Sequence, residues 1–501
     1  MNYAIGVVRL ILTGIVALLL VLLVVALDGC TVGPKYVRPT VPTTAAYKEV
    51  APGSFKESDQ WQPAHPGDQT SRGKWWEIFG DPELDRLEEQ IAGSNQNLKV
   101  AEARFREARA TIRFSRASQF PTVSTAPSAS YIKNSDYSSN FSSKIQQSSK
   151  GDLTLPFDLS YELDLWGRVR RSVAAAREEA QATAADYETA KLSLEAELAM
   201  DSFELRSADS QKQLLDNTVK AYTDNLQLTL NRFQGGVAPK ADVAQAQTQL
   251  DTTRVQDTDV TVQRAQFEHA IAILIGKPPA EFSLAAAPLN QQPPGTPIGL
   301  PSELLQRRPD IAAAERRVAE ANQQIGIARA AYFPTVTLGA TAGFAGSQGS
   351  NWFGWPSGFW AVGPALAQTL FDAGRRRATS ESARANYDAA VATYRQTSLT
   401  AFQEVEDNVA ALRILENETQ QQQAVASSQE SLQLFTNRYK GGVDIYLQVI
   451  TAQTVELANE RNAIDIQRRR LDASVLLIKA LGGGWNVSNL PAFGSSSVRD
   501  Y

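Results

Sequence analysis

The chain has 501 residues, 49 basic against 54 acidic, for a net charge of −5, and lacks the basic excess that nucleic-acid partners call for. Hydrophobic residues make up 43%, which excludes a polytopic helical membrane protein. One cysteine and two histidines, His65 and His269, rule out an internal disulfide and argue against a His/Cys metal site; His269 lies in the helical pattern "RAQFEHAIAILIG", where a surface or packing role is expected.

At the N-terminus, Arg9 precedes the apolar run "LILTGIVALLLVLLVVAL", which ends at "LDGC". A basic start, an apolar middle and small residues before a cysteine describe a bacterial secretory signal over residues 1–29. Cys30 after Gly29 has the pattern of a lipobox, whose thiol receives a diacylglyceryl group, and each buried methylene adds about 0.8 kcal/mol of anchoring. Asp28 departs from the small neutral residue usual there, and the alternative is an uncleaved span, since 18 apolar residues can just cross a bilayer.

A Pro-rich segment fills residues 30–80, and a first repeat is expected over 81–280. It opens with a helix of about 35 residues, "LDRLEEQIAGSNQNLKVAEARFREARATIRFSRAS", which Pro121 stops. An extended stretch begins at "QFPTVSTA". Then Leu153, Leu155, Phe157, Leu159, Tyr161, Leu163 and Leu165 alternate with Thr154, Pro156, Asp158, Ser160, Glu162 and Asp164, predicting a strand with one apolar and one acidic-polar face. From Gly167 to Phe233 neither proline nor glycine interrupts a helical pattern that can reach about 100 Å. Val219, Tyr222, Leu226 and Phe233 mark a narrow seam on it. The chain turns at Gly235 and Gly236 and returns through a helix of roughly 35 residues.

A Pro-rich linker, 281–300, leads to a second repeat, 301–485, with the same order of parts, and residues 486–501 form a tail. Pro334 again ends a helix; Val336, Leu338, Ala340, Ala342 and Phe344 alternate with small and polar residues, and a less regular strand is expected over 357–372. A long helix follows from Arg375 to Lys440, with Phe402, Val405, Val409 and Leu412 as its seam, then a turn at Gly441 and Gly442 and a return helix. Glu197, Leu205 and Arg206 recur as Glu404, Leu412 and Arg413 at an offset of 207, and "RFQGGV" recurs as "RYKGGV" at 206. A constant offset across such different segments means internal duplication. The "FPTV" pair is offset by 213, which places about six extra residues of the first copy in "NSDYSSNFSSKIQQSSK".

Four strands cannot close a barrel, and lipid offers no hydrogen bonds to free strand edges, so the chain is expected to oligomerise. Two chains would give a filled eight-stranded barrel and three would give twelve strands with an open lumen.

The segments "CTVGPKYVRP", "WWEIFGDPEL", "LLQRRPDIAAAERRVAEANQQIGIARAAYFPTVTL", "AFQEVEDNVAAL", "RYKGGVDIYLQV" and "KALGGGW" carry a resemblance to the outer membrane factor family, TolC- and OprM-like exit ducts of tripartite efflux pumps, over essentially the whole mature sequence. The resemblance implies a mixed α+β membrane protein. It forms a homotrimer with a twelve-stranded β-barrel in the outer membrane, four strands per chain, continued by a long α-helical barrel in the periplasm. It implies no catalysis and no cofactor beyond the lipid on Cys30. The implied partners are outer-membrane lipid, a periplasmic adaptor and an inner-membrane transporter of the resistance-nodulation-division type, which together expel drugs or other toxic compounds. Each Gly-Gly-Val turn would be a hairpin tip at the periplasmic mouth. The family latches that mouth with a tyrosine and an aspartate, here Tyr439 and Asp242, and Arg438 could pair with a neighbouring acid. Where relatives carry acidic rings this chain has Gln448 and Thr451, and Asp444 stands where one relative has an arginine, so weak block by multivalent cations is expected. Asp242 and Asp444 also suit the N-terminal end of a helix dipole. Two further readings stand beside the duct: a type I protein-secretion duct, and a periplasmic coiled-coil adaptor or structural lipoprotein. The second would not need the two pairs of alternating strands.

Overall fold

The computed structural model describes residues 31–44, 46–49, 73–133, 150–295, 303–421 and 423–493. The segment read as a secretory signal, Cys30, the residues from 494 onward and nearly all of the Ser/Asn-rich insertion lie outside the described residues. In chain order the elements are α1 (Pro82–Ser94), α2 (Gln96–Ala117), β1 (Thr122–Thr125), β2 (Ser128–Ile132), β3 (Lys150–Leu163), α3 (Arg168–Gln234), α4 (Lys240–Leu274), α5 (Leu304–Arg307), α6 (Pro309–Ala330), β4 (Thr335–Gly346), β5 (Gly358–Ala367), α7 (Arg375–Gln421), α8 (Gln423–Lys440) and α9 (Tyr446–Ala480). They fall into two compact units. The first takes in the described parts of Met1–Pro39, Arg106–Gln181 and Glu315–Ala392, and the second those of Thr40–Phe105, Ala182–Ala314 and Thr393–Tyr501.

The first unit holds the sheet, which is antiparallel throughout. β1 and β2 both pair with β3 in one register, Thr125 opposite Phe157 and Ser128 opposite Thr154, with Ala126 and Pro127 between. Proline has no N–H to give to the ladder, so one strand position is written as two short strands. Five strands therefore occupy four positions, ordered β1/β2, β3, β4, β5, with β1/β2 and β5 at the edges. The register aligns one face across all four: Val123 opposite Leu159, Leu159 opposite Ala340, Ala340 opposite Val362. Leu155, Phe157, Leu338, Phe344, Trp360 and Leu366 share it. Trp360 is 77% exposed, so this apolar face is uncovered in a single chain.

Two strand ends differ from the sequence expectation. Leu165 is outside β3, because Asp164 leaves the ladder to accept the backbone N–H groups of Val169 at 3.1 Å and Arg170 at 2.8 Å at the start of α3. The strand expected over 357–372 is shorter, Gly358–Ala367, since Asp372 instead caps α7 through Gly374 and Arg376. The indole of Trp166 donates to the carbonyl of Pro334 at 2.7 Å and stacks on Phe333, tying the end of β3 to the start of β4.

The second unit is helical. α3, whose residues 168–181 belong to the first unit, runs for 67 residues, as the uninterrupted pattern predicts, and α4 and α9, within the second, each run for 35. α7 and α8 flank residue 422, which is outside the described residues. The helix read as continuous over 84–118 is two helices. Asn95 breaks it by donating to the carbonyl of Leu274 at 2.8 Å and accepting from the Leu98 N–H at 3.0 Å, with its own backbone extended. The cores match the seams in part: Tyr222, Val405, Val409 and Leu412 are buried, whereas Phe233 is exposed. Trp75, Phe79, Leu84, Phe203, Leu471 and Val475 pack in one core cluster. The Pro-rich linker is laid against the helices by its backbone: Ala287 N–H to Asp209 at 2.9 Å and Leu289 N–H to Ser210 at 2.8 Å. The described N-terminal segment does likewise, with the N–H groups of Lys48 and Glu49 on the carboxylate of Glu406. No helix among the described residues is long and apolar enough to cross a membrane.

Candidate functional site: the two hairpin tips

The twice-written sequence folds twice into one turn. After α3, the Val237 N–H bonds the Arg232 carbonyl at 2.8 Å and the Gly236 N–H bonds that of Phe233 at 3.0 Å. After α8, Val443 bonds Arg438 at 2.9 Å and Gly442 bonds Tyr439 at 3.0 Å. This is the Schellman arrangement, which closes the orphan carbonyls of a helix end and needs a left-handed residue. Gly236 and Gly442 supply it, at φ 71° and 74°. Gly235 and Gly441 precede them and bond back to Asn231 and Asn437. Pro239 and Ile445, both extended, then start the return helices without side-chain caps.

The side chains around the two turns differ. Arg438 grips Asp444 within its own hairpin, Nε to Oδ2 at 2.6 Å and Nη2 to Oδ1 at 3.2 Å. This bidentate pairing holds the Asp444 carboxyl below its usual value. Gln448 and Thr451 lie exposed on α9, one turn apart, and the Thr451 hydroxyl bonds back to the Leu447 carbonyl at 2.9 Å. Asp242, half-buried, sits in the first turn of α4, where a helix dipole favours an acid. Burial raises its carboxyl and the nearby Arg232 charge opposes that.

Tyr439 is buried, 3% exposed, against Tyr446, Ala246 and Val449. Its ring lies 5.1 Å from that of Tyr446, and its hydroxyl has no hydrogen-bond partner. The Tyr439–Asp242 bond expected from the resemblance is therefore not made within the chain, because the phenol is turned into the aromatic cluster. Burial pushes the Tyr446 phenol up to about 12. What the sequence reading passed over is Arg232, whose guanidinium lies 4.7 Å from the Tyr439 ring centre and donates to the Lys440 carbonyl at 2.9 Å. The repeat held the signal, since Arg232 and Arg438 occupy the same place in the two turns.

The chain thus combines two helical hairpins with matched turns and an antiparallel sheet with one exposed apolar face. The outer membrane efflux protein family matches over residues 87–277 and 300–483, and the chain belongs to it. The probable efflux pump outer membrane protein SepC of Pseudomonas putida is 35% identical over 471 residues, covering 93% of this chain and 97% of the relative. The toluene efflux pump outer membrane protein TtgF of Pseudomonas putida matches equally, and OprJ of Pseudomonas aeruginosa is 33% identical over 485 residues, covering 94% and 96%. Among solved structures, the outer-membrane channel OprN is similar at TM-score 0.83 and 30% identity, covering 91% of this chain and all of that one. CusC is similar at 0.78 and 27%, covering 91% and 100%. The chain is thus an outer-membrane efflux channel and not an enzyme.

Proposed function

We propose that three copies of this chain form the exit duct of a tripartite efflux system. A twelve-stranded barrel closes through β5 of one copy and β1/β2 of the next, and the helices continue it as a tube into the periplasm. The single observation that carries this is the sheet: four strand positions, one continuous apolar face and two edges that no other strand pairs among the described residues. Lipid cannot satisfy those edges and a second chain can. The tube's far end would dock a periplasmic adaptor and, through it, an inner-membrane transporter of the resistance-nodulation-division type. Cys30 would carry the lipid anchor. The hairpin tips, with Asp242, Arg438, Tyr439, Asp444, Gln448 and Thr451, would line the resting periplasmic mouth. Relatives are named for toluene, solvent and antibiotic efflux, which supports small toxic compounds as the cargo here.

The test is the mass of the purified protein in mild detergent together with its current in planar bilayers. A trimer that conducts is expected. A monomer that carries no current overturns the trimeric-duct reading.

A further inference from the structure

Each hairpin turn places one arginine in the same position, yet the two guanidiniums do different things. Six residues after Arg438 stands Asp444, which takes both of its donors, at 2.6 and 3.2 Å. Six residues after Arg232 stands Ala238, which offers nothing. Arg232 therefore reaches the other hairpin, where it bonds the carbonyl of Lys440, the last residue of α8, and covers the ring of Tyr439. A cation suits that place, since the last carbonyls of a helix are unsatisfied and carry the negative end of its dipole. The ring face attracts the guanidinium as well. Tyr439, buried and with its hydroxyl unpartnered, is held by its ring, with the Arg232 guanidinium over it and the tilted ring of Tyr446 against it.

We propose that Arg232 is the clasp that holds the two hairpin tips of each chain together, and that the resting mouth of this channel is set by that clasp and not by a phenol–carboxylate bond. The inference deepens the duct reading and rests on it for the word mouth, but the clasp itself is a contact within one chain. It assigns Arg232 a positioning role: it fixes Tyr439 and the end of α8 without touching cargo. The duplication explains how this arose. Of the two equivalent arginines it leaves, only Arg438 has an acid six residues on, and Arg232, facing Ala238, crosses between hairpins.

The decisive variant is Ala238→Asp, which keeps Arg232 and gives it the acid that Arg438 already has. Arg232→Gln removes the clasp outright, and Arg232→Lys, which keeps charge and one donor, is expected to rescue in part. Two readouts are taken on each folded protein. One is open time in planar bilayers; the other is the distance between spin labels on Val237→Cys and Val443→Cys, both exposed tip positions. Ala238→Asp and Arg232→Gln are each expected to raise open time about tenfold and to lengthen and broaden the distance, as loss of one charge-assisted bond implies. The double variant, compared with Arg232→Gln, shows what the new carboxylate does at this buried position apart from the arginine, and is expected to add little. Tyr439→Phe separates clasp from latch: the clasp, which uses the ring, predicts a far smaller effect than Arg232→Gln, and a phenol latch predicts the reverse. The proposal is overturned if Ala238→Asp leaves both readouts at the wild-type value, or if Tyr439→Phe opens the tips as far as Arg232→Gln. A wild-type protein without current would sink the duct reading alone, since the label distance still tests the clasp.

Discussion

Arg308 donates a 3.1 Å hydrogen bond to the carbonyl of Ala480, the last residue of α9. The same guanidinium nitrogen holds Glu404 at 2.6 Å and the other two hold Asp310 at 3.0 and 2.6 Å, so a side chain only 8% exposed has every donor group engaged. It joins the start of α6, the middle of α7 and the end of α9 in one network. Replacing Arg308 by Met strands two carboxylates and a helix-end carbonyl. The expected cost is about 2–4 kcal/mol, toward the low side for a buried pair because Glu404 is partly exposed. Thermal unfolding in detergent should show a lowered midpoint, with Arg308→Lys in between, since an ammonium cannot serve three partners in one plane.

Gly276 and Gly482 are duplicates, both left-handed at φ 71° and 94°. A Cβ on Gly276 would lie 2.4 Å from the Ser94 carbonyl oxygen, and one on Gly482 would lie 2.0 Å from that of Arg307. In each repeat the return helix thus ends with its backbone in contact with the first helix. Gly482→Ala and Gly276→Ala are expected to prevent assembly or lower the unfolding midpoint steeply. Gly236→Ala, equally left-handed but with open space around it, should cost only about 1 kcal/mol of backbone strain. Comparing yields of heat-resistant oligomer for the three variants checks this.

Stability should fall as pH rises toward 8. Glu195 is buried against Trp75, whose indole donates to it at 3.2 Å, and burial pushes its carboxyl from 4.5 up to about 7 despite Lys191. Glu88 beside it is raised well above the usual range, again by burial first and then by Glu195 and Asp85, and neither of its oxygens has a partner. A native carboxyl above its unfolded value keeps its proton where the unfolded chain has lost it. Its contribution is full below about pH 4.5 and is lost as pH climbs through 7. Glu195→Gln should flatten that dependence and, at pH 8, raise stability by up to about 3 kcal/mol, measured as denaturation midpoint against pH.

Asp444 is occupied by Arg438, and Gln448 and Thr451 are uncharged, so the tip of the second hairpin presents little free negative charge. Titration with a trivalent cobalt complex should block the wild-type current weakly. Arg438→Gln releases the carboxylate and should lower the half-blocking concentration roughly tenfold, more so at low salt. Tight block of the wild-type channel would refute this.

Much of this architecture could be read from local pattern. The alternation from Leu153 to Leu163 gave β3, and the run without glycine or proline from Arg168 gave α3, because period and length are local properties of the chain. What escaped were residues whose partners are remote. Asn95 breaks a helix by bonding Leu274, which is 179 positions away. Asp164 continued the strand pattern but is committed to the helix beyond it. At the tips, the Schellman turns followed from Gly-Gly-Val, yet the direction Arg232 takes depends on an acid missing from position 238 and a ring supplied by another hairpin. A motif fixes the turn; the neighbourhood decides which way its side chains go.

The outer edges of β1/β2 and β5, unpaired among the described residues, also bear on how the protein is made. If the proposed trimer closes its barrel through neighbouring main chain before entering lipid, insertion would rise faster than linearly with subunit concentration. Slow synthesis would leave subunits waiting with unzipped borders, open to periplasmic proteases. Supply of the polypeptide, as much as its folded stability, would then set how many working pores a cell carries.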